Sequence, residues 1–170
     1  NKQGPLLLPQ LKNIDYCNNF THPLNYLCLV EEKLLRILVA KADDSVKELF
    51  GYTDDNTPLQ HNLKHLKLCF GHFGGEDEWE RFFESDRDNI TSQLVKKPEQ
   101  GIVFIKEGPV EDSFFTLEQV WKNADWYSII CSMMLQYDNL YADISYILHD
   151  EKIFPLLKQT LQNDELKTRV

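Results

Sequence analysis

The stretch 115-FTLEQVWKNADWYSIICSMMLQY-137 decides the fold class. Thr116 with Gln119 three residues on is a capping box, in which two side chains satisfy orphan N–H groups of a first helical turn. Phe115 and Val120 have the spacing of a hydrophobic staple across that start. Leu117, Val120, Trp121, Ala124, Cys131, Met134 and Leu135 then recur at helical spacing, which predicts one long helix over 117–137 with Trp121 turned inward. A long helix with an apolar stripe buries it against other elements, so the rest of the chain is read for what packs around it.

Toward the C-terminus, Asp138 is placed to cap a further helix through Leu140, Ile144, Ile147 and Leu148, and Pro155 to open a last one through Leu156, Leu157 and Leu161. Toward the N-terminus, 101-GIVFIK-106 is β-branched and aromatic between Pro98 and Gly108-Pro109, and is the one strand the pattern predicts. A lone strand needs a partner for its backbone groups, so Val103 and Phe104 become candidate partner-binding positions. Glu76-Asp77-Glu78 suits the positive end of a helix through Trp79, Phe82 and Phe83. Thr57-Pro58-Leu59-Gln60 is a second capping box and predicts a helix over 58–70, ended by Gly71, Gly74 and Gly75. Asp43-Asp44-Ser45 offers a cap for a short helix ending at Gly51, and Pro23 opens a helix capped by Thr21 or His22 that runs through Leu24, Leu27, Cys28, Leu34, Leu35 and Leu38 to about Lys41. Residues 1–20 carry Gly4, Pro5 and Pro9 without a period and read as an extended arm. The expectation is a mainly α, single compact domain over 1–170, of six or seven helices with one strand or small hairpin near 102–106.

The 170 residues are 42% hydrophobic and 26% charged, enough for a core without disulfide or metal. Eighteen Lys and Arg against 27 Asp and Glu leave a formal charge of -9, which repels nucleic-acid phosphate, and no basic patch offsets it. No apolar run approaches the ~20 residues that span a bilayer. Cys28, Cys69 and Cys131 sit in apolar, helix-like settings, which suits reduced thiols and an intracellular home; Cys17 reads as a loop cysteine. The sequons at Asn19 and Asn89 keep a secreted protein with one or two bridges as the alternative.

The sharpest chemical constellation is His61-x3-His65-x3-Cys69-x2-His72. On a helix, positions four apart advance only ~40°, so His61, His65 and Cys69 would share one strip, with zinc as the candidate ion. Against it, helix-surface histidines are common, and no His-Glu-x-x-His general base is present. The acidic run Glu76, Asp77, Glu78, Glu80 and Glu84 could hold a cation but lacks the oxygen pattern of a calcium loop. Trp121, Trp126 and Tyr127 could line a pocket, though core packing explains them as well. Gly71 to Gly75 is Gly-rich but follows no predicted strand, so it reads as a turn. Thr168-Arg169-Val170 matches the C-terminal pattern by which a PDZ groove takes a strand, making Thr168 and Val170 candidate partner contacts.

No nucleophile elbow, phosphate-cradling loop, dinucleotide fingerprint or kinase set is present. The sequence therefore points to a non-catalytic protein-interaction or regulatory module with an acidic surface. The alternative is a small-molecule- or metal-dependent enzyme or ligand-binding domain using the helical core.

Overall fold

A computed structural model describes residues 21–84 and 117–170. The arm 1–20 and the predicted strand with Val103 and Phe104 lie outside the described residues. What is described is mainly helical, as expected, with one small sheet. In chain order come a 3₁₀ turn Pro23–Tyr26, α1 (Leu27–Val30), α2 (Glu32–Ala40), α3 (Asp44–Phe50), β1 (Leu68–Phe70), the turn Gly71–Gly74 and α4 (Glu76–Glu84). After these come α5 (Leu117–Asn123), α6 (Trp126–Gln136), β2 (Leu140–Ala142), 3₁₀ turns at Ile147–His149 and Glu151–Ile153, α7 (Phe154–Thr160) and a final 3₁₀ turn, Leu166–Thr168. No described helix is long and apolar enough to cross a membrane.

Local signals place several ends as expected. His22 caps the first turn by accepting the Leu24 N–H at Nδ1, with Pro23 just inside. Gly51 ends α3 at φ +61°, the left-handed cap that glycine adopts without steric cost. The run from Pro23 to Lys41 is not one helix: Glu31, extended at φ -105° and ψ 102°, separates α1 from α2 and caps the latter. Three other expectations are overruled. The helix over 58–70 is absent. Asp54 accepts from the Thr57 hydroxyl and from the N–H groups of Asn56 and Thr57, which folds 54–57 into a local turn. Leu59 is instead buried against Leu35 and Val39 of α2, its N–H given to Glu32.

The long helix is two. Asp125 is buried and caps α6, its carboxylate accepting from the Ser128 N–H at 2.7 Å and from the Ser128 hydroxyl, and this cap interrupts the helix between α5 and α6. Trp121 is half-buried rather than inward. The helix after Asp138 is absent too: Leu140 and Ala142 are buried with Tyr141 turned outward between them, and β2 pairs parallel with β1 in the register Leu68–Leu140, Cys69–Tyr141, Phe70–Ala142. Asp138 holds Arg169 instead of a helix start.

α6 is the central element, with Ile129, Ile130, Met133 and Met134 fully buried. Trp79 of α4, Phe73, Leu27 and Ile153 close around it in one apolar cluster. At about 25 cal/mol per Å² of apolar surface removed from water, such a cluster is the main source of stability.

Candidate functional site

Because β1 and β2 run in parallel, their C-terminal ends open on the same side, which is where open parallel sheets place ligands. A groove of about 440 Å³ lies along β1 and the turn that follows it, within the ~300–1,000 Å³ range of ligand sites. Pro23, Tyr26, Trp126 and Ile130 form its apolar walls, together with Leu68 and Phe70; Cys69 and His72 add polar groups. All three β1 residues line the groove and no β2 residue does. On the β2 side, Leu68 donates its N–H to the Asn139 carbonyl, and the Phe70 carbonyl accepts from the Asp143 N–H. Strand residues alternate, so the N–H and C=O of Cys69 point away from β2. Among the described residues, β2 is the strand that pairs with β1.

The rim is shaped by an unusual turn. His72, Phe73, Gly74 and Gly75 follow one another at φ 55°, 45°, 87° and 95°. Left-handed backbone costs a non-glycine residue about 1–2 kcal/mol. The cost is met by the fully buried Phe73 ring and by Trp79, whose indole N–H bonds the Phe73 carbonyl. Gly74 has no room for a side chain, since a Cβ there would stand 3.1 Å from Trp126 Cβ and 3.2 Å from Ile130 Cδ1.

The turn brings His72 beside the loop that leaves β2, with Nδ1 3.9 Å from Asp143 Oδ1 and 3.5 Å from Ser145 Oγ. Asp143 also faces Gly71. Its carboxyl is held below the usual range, chiefly by the Ser145 hydroxyl, so the rim is anionic. A Ser-His-Asp relay needs histidine to take the serine proton. Here the Ser145 hydroxyl donates to Asp143 itself. The Cys69 thiol is pushed up by burial and by Asp143, the reverse of an activated nucleophile.

The zinc expectation loses its ground: without a helix over 58–70, His61, His65 and Cys69 share no strip, and His61, His65, Cys69 and His72 do not form a common ligand cluster. Of the four, Cys69 and His72 meet at the groove. Among the described residues, the group whose ligand atoms do converge is Glu76, Glu80 and Asp150, with counter-charges already in place. His149 Nε2 lies 3.1 Å from Glu76, and Lys152 Nζ lies 3.4 Å from Glu80. Trp126 lines the groove, Tyr127 a smaller cavity of about 130 Å³ between α6 and α7, and Trp121 stacks on His22. Thr168 bonds the Glu165 carbonyl and Val170 packs on the core, so the C-terminus is tied down. Asp143 and Ser145 escaped the sequence reading because their signal, an Asp accepting from the N–H two residues on, was hidden in an apparent helix.

The chain matches no family model, and comparison with curated proteins and with solved structures finds no match.

Proposed function

We propose that this chain is a non-catalytic interaction module that takes an extended segment of a partner protein along the outer edge of β1, with an apolar side chain in the groove and a basic residue against Asp143. The observation that carries the reading is the coincidence of an apolar groove with a strand edge at Cys69, which supplies main-chain bonds and a side-chain pocket together. Charge complementarity favours a basic flank: the rim carboxylate is ionised, and the whole chain carries -9. The same charge argues against nucleic acid as the partner. The free thiols of Cys28, Cys69 and Cys131 support an intracellular home.

Selection from a phage-displayed random peptide library tests the proposal. The expected ligands carry an apolar anchor next to Lys or Arg and slow alkylation of Cys69, and Cys69→Pro weakens them at least tenfold by removing the outward N–H. Peptides that bind Cys69→Pro as well as the parent, or that leave Cys69 labelling unchanged, overturn it.

A ligand-binding domain for small molecules is the second reading, favoured by the apolar walls and the volume of the same groove. Aromatic fragments that protect Cys69 while no peptide does so would select it.

A further inference from the structure

We propose that His22 is an acid-operated latch on this groove: protonation drives its ring from between two indoles and frees the turn Pro23–Tyr26, which forms one wall. The inference rests on the groove being the binding site.

The ring is 2% exposed. It stacks on Trp121 with centroids 3.8 Å apart and planes 11° from parallel, and meets Trp126 edge-on at 5.5 Å. Thr21 and Pro23 on either side of His22 line the groove, as does Trp126, so moving the ring moves the wall. Nδ1 accepts the Leu24 N–H at 3.2 Å, which puts the proton of the neutral ring on Nε2. A second proton can enter only at Nδ1, and there it breaks the cap. Among the described residues, Nε2 has no hydrogen-bond partner through which an imidazolium could spread its charge.

The charged surroundings do not rescue the cation. Arg81 of α4 repels it, and the Trp121 carbonyl favours it without completing a bond to Nε2. Glu78 of α4 and Asp125 before α6 are engaged by the Trp126 N–H and by Ser128. Lys122 of α5 is bonded to Glu118 on the exposed side. The faces of indoles attract cations, but burial wins and lowers the His22 pKa from 6.5 to about 4. The closed latch therefore binds its proton less readily than an open, solvated one, and between these two values each unit of acidification should open it about tenfold further.

The test uses the whole chain without ligand. Hydrogen exchange at Leu24, Asn25 and Tyr26, corrected for intrinsic rates, reports opening, and Cys69 alkylation, corrected for thiolate fraction, reports groove access. From pH 6 to 4.5 both should rise about tenfold per unit in the parent and stay flat in His22→Phe. His22→Asn, which keeps a capping acceptor, serves if the phenylalanine variant fails to fold. An imidazole that titrates near 6.5 by NMR, or opening without a pH slope, overturns the latch whatever the groove binds. Opening that leaves Cys69 access unchanged overturns its coupling to the groove. If both follow pH while no selected peptide binds at any pH, the latch stands and only the peptide reading fails.

Discussion

The indole of Trp79 donates its N–H to the Phe73 carbonyl at 2.9 Å, with the two rings edge-to-face at 5.2 Å. Phe73 sits at φ 45° in the left-handed turn at the groove rim. One side chain thus satisfies a buried carbonyl and clamps a strained backbone. Trp79→Phe keeps most of the packing but orphans that carbonyl, and should cost about 1–3 kcal/mol. Trp79→Ala should cost about 3–5 kcal/mol. Urea unfolding of both variants measures this; a phenylalanine variant as stable as the parent would show that packing alone holds the turn.

Glu78 should make the chain less stable as pH rises. Its carboxylate accepts the Trp126 N–H at 2.8 Å, but burial dominates and raises its pKa above 4.5. The folded state then holds the proton more tightly than the unfolded state. The stability this provides is present at low pH and lost as pH climbs from about 4.5 through the raised value. Glu78→Gln keeps an acceptor for Trp126 and loses an exposed ion pair with Arg81, worth about 0–1 kcal/mol. The stability difference, variant minus parent, should grow with pH between 4.5 and 6. A variant weaker by about 2 kcal/mol at pH 7, the size of a charged hydrogen bond, would refute this.

Thr160 holds α7 to α6. Its hydroxyl donates to the Leu156 carbonyl at 2.9 Å and so accepts from the Tyr127 hydroxyl at 2.8 Å, and burial pushes the Tyr127 phenol up. Thr160→Val has nearly the same shape and leaves the Tyr127 hydroxyl with the weakly bonding Cys131 thiol, so thermal unfolding should show a loss of about 1 kcal/mol. Thr160→Ser should lose less than half of that. Equal losses in the two would assign the effect to the missing methyl instead.

Arg169 closes the C-terminal end of α6. Its guanidinium donates to the Met134 and Tyr137 carbonyls, it bonds Asp138 at 2.9 Å, and its own carbonyl accepts from Ala142. A cation placed on the last carbonyls of a helix complements its dipole. Arg169→Ala should therefore destabilise by about 1–3 kcal/mol in urea unfolding. The same contacts oppose recognition of Thr168 and Val170. A PDZ domain that takes the free peptide of residues 163–170 should bind the whole chain at least tenfold more weakly. Equal affinities would show that the tail leaves its seat freely.

What the sequence determined by itself are the features settled within about one helical turn. Pro23 with a capping His22, the glycine after α3, the acidic start of α4 and Pro155 at the head of α7 each act within about one turn, through a short-range bond, a fixed or left-handed φ, or the helix dipole, so neighbouring letters suffice. Apolar spacing likewise made α6 the organising element. Tertiary structure alone decided whether a local signal was used. The segment after Thr57 is drawn out of a helix by Leu59, buried against Leu35 and Val39 with its N–H on Glu32, whereas the Asp125 cap was a local signal hidden in an apolar run. The strands β1 and β2 are three residues each, too short for a period of two to show, and their pairing joins segments separated by α4, α5 and α6. The groove follows from that pairing. Cys69, His72, Asp143, Trp126 and His22 have no common spacing to read, because only packing against α6 brings them together.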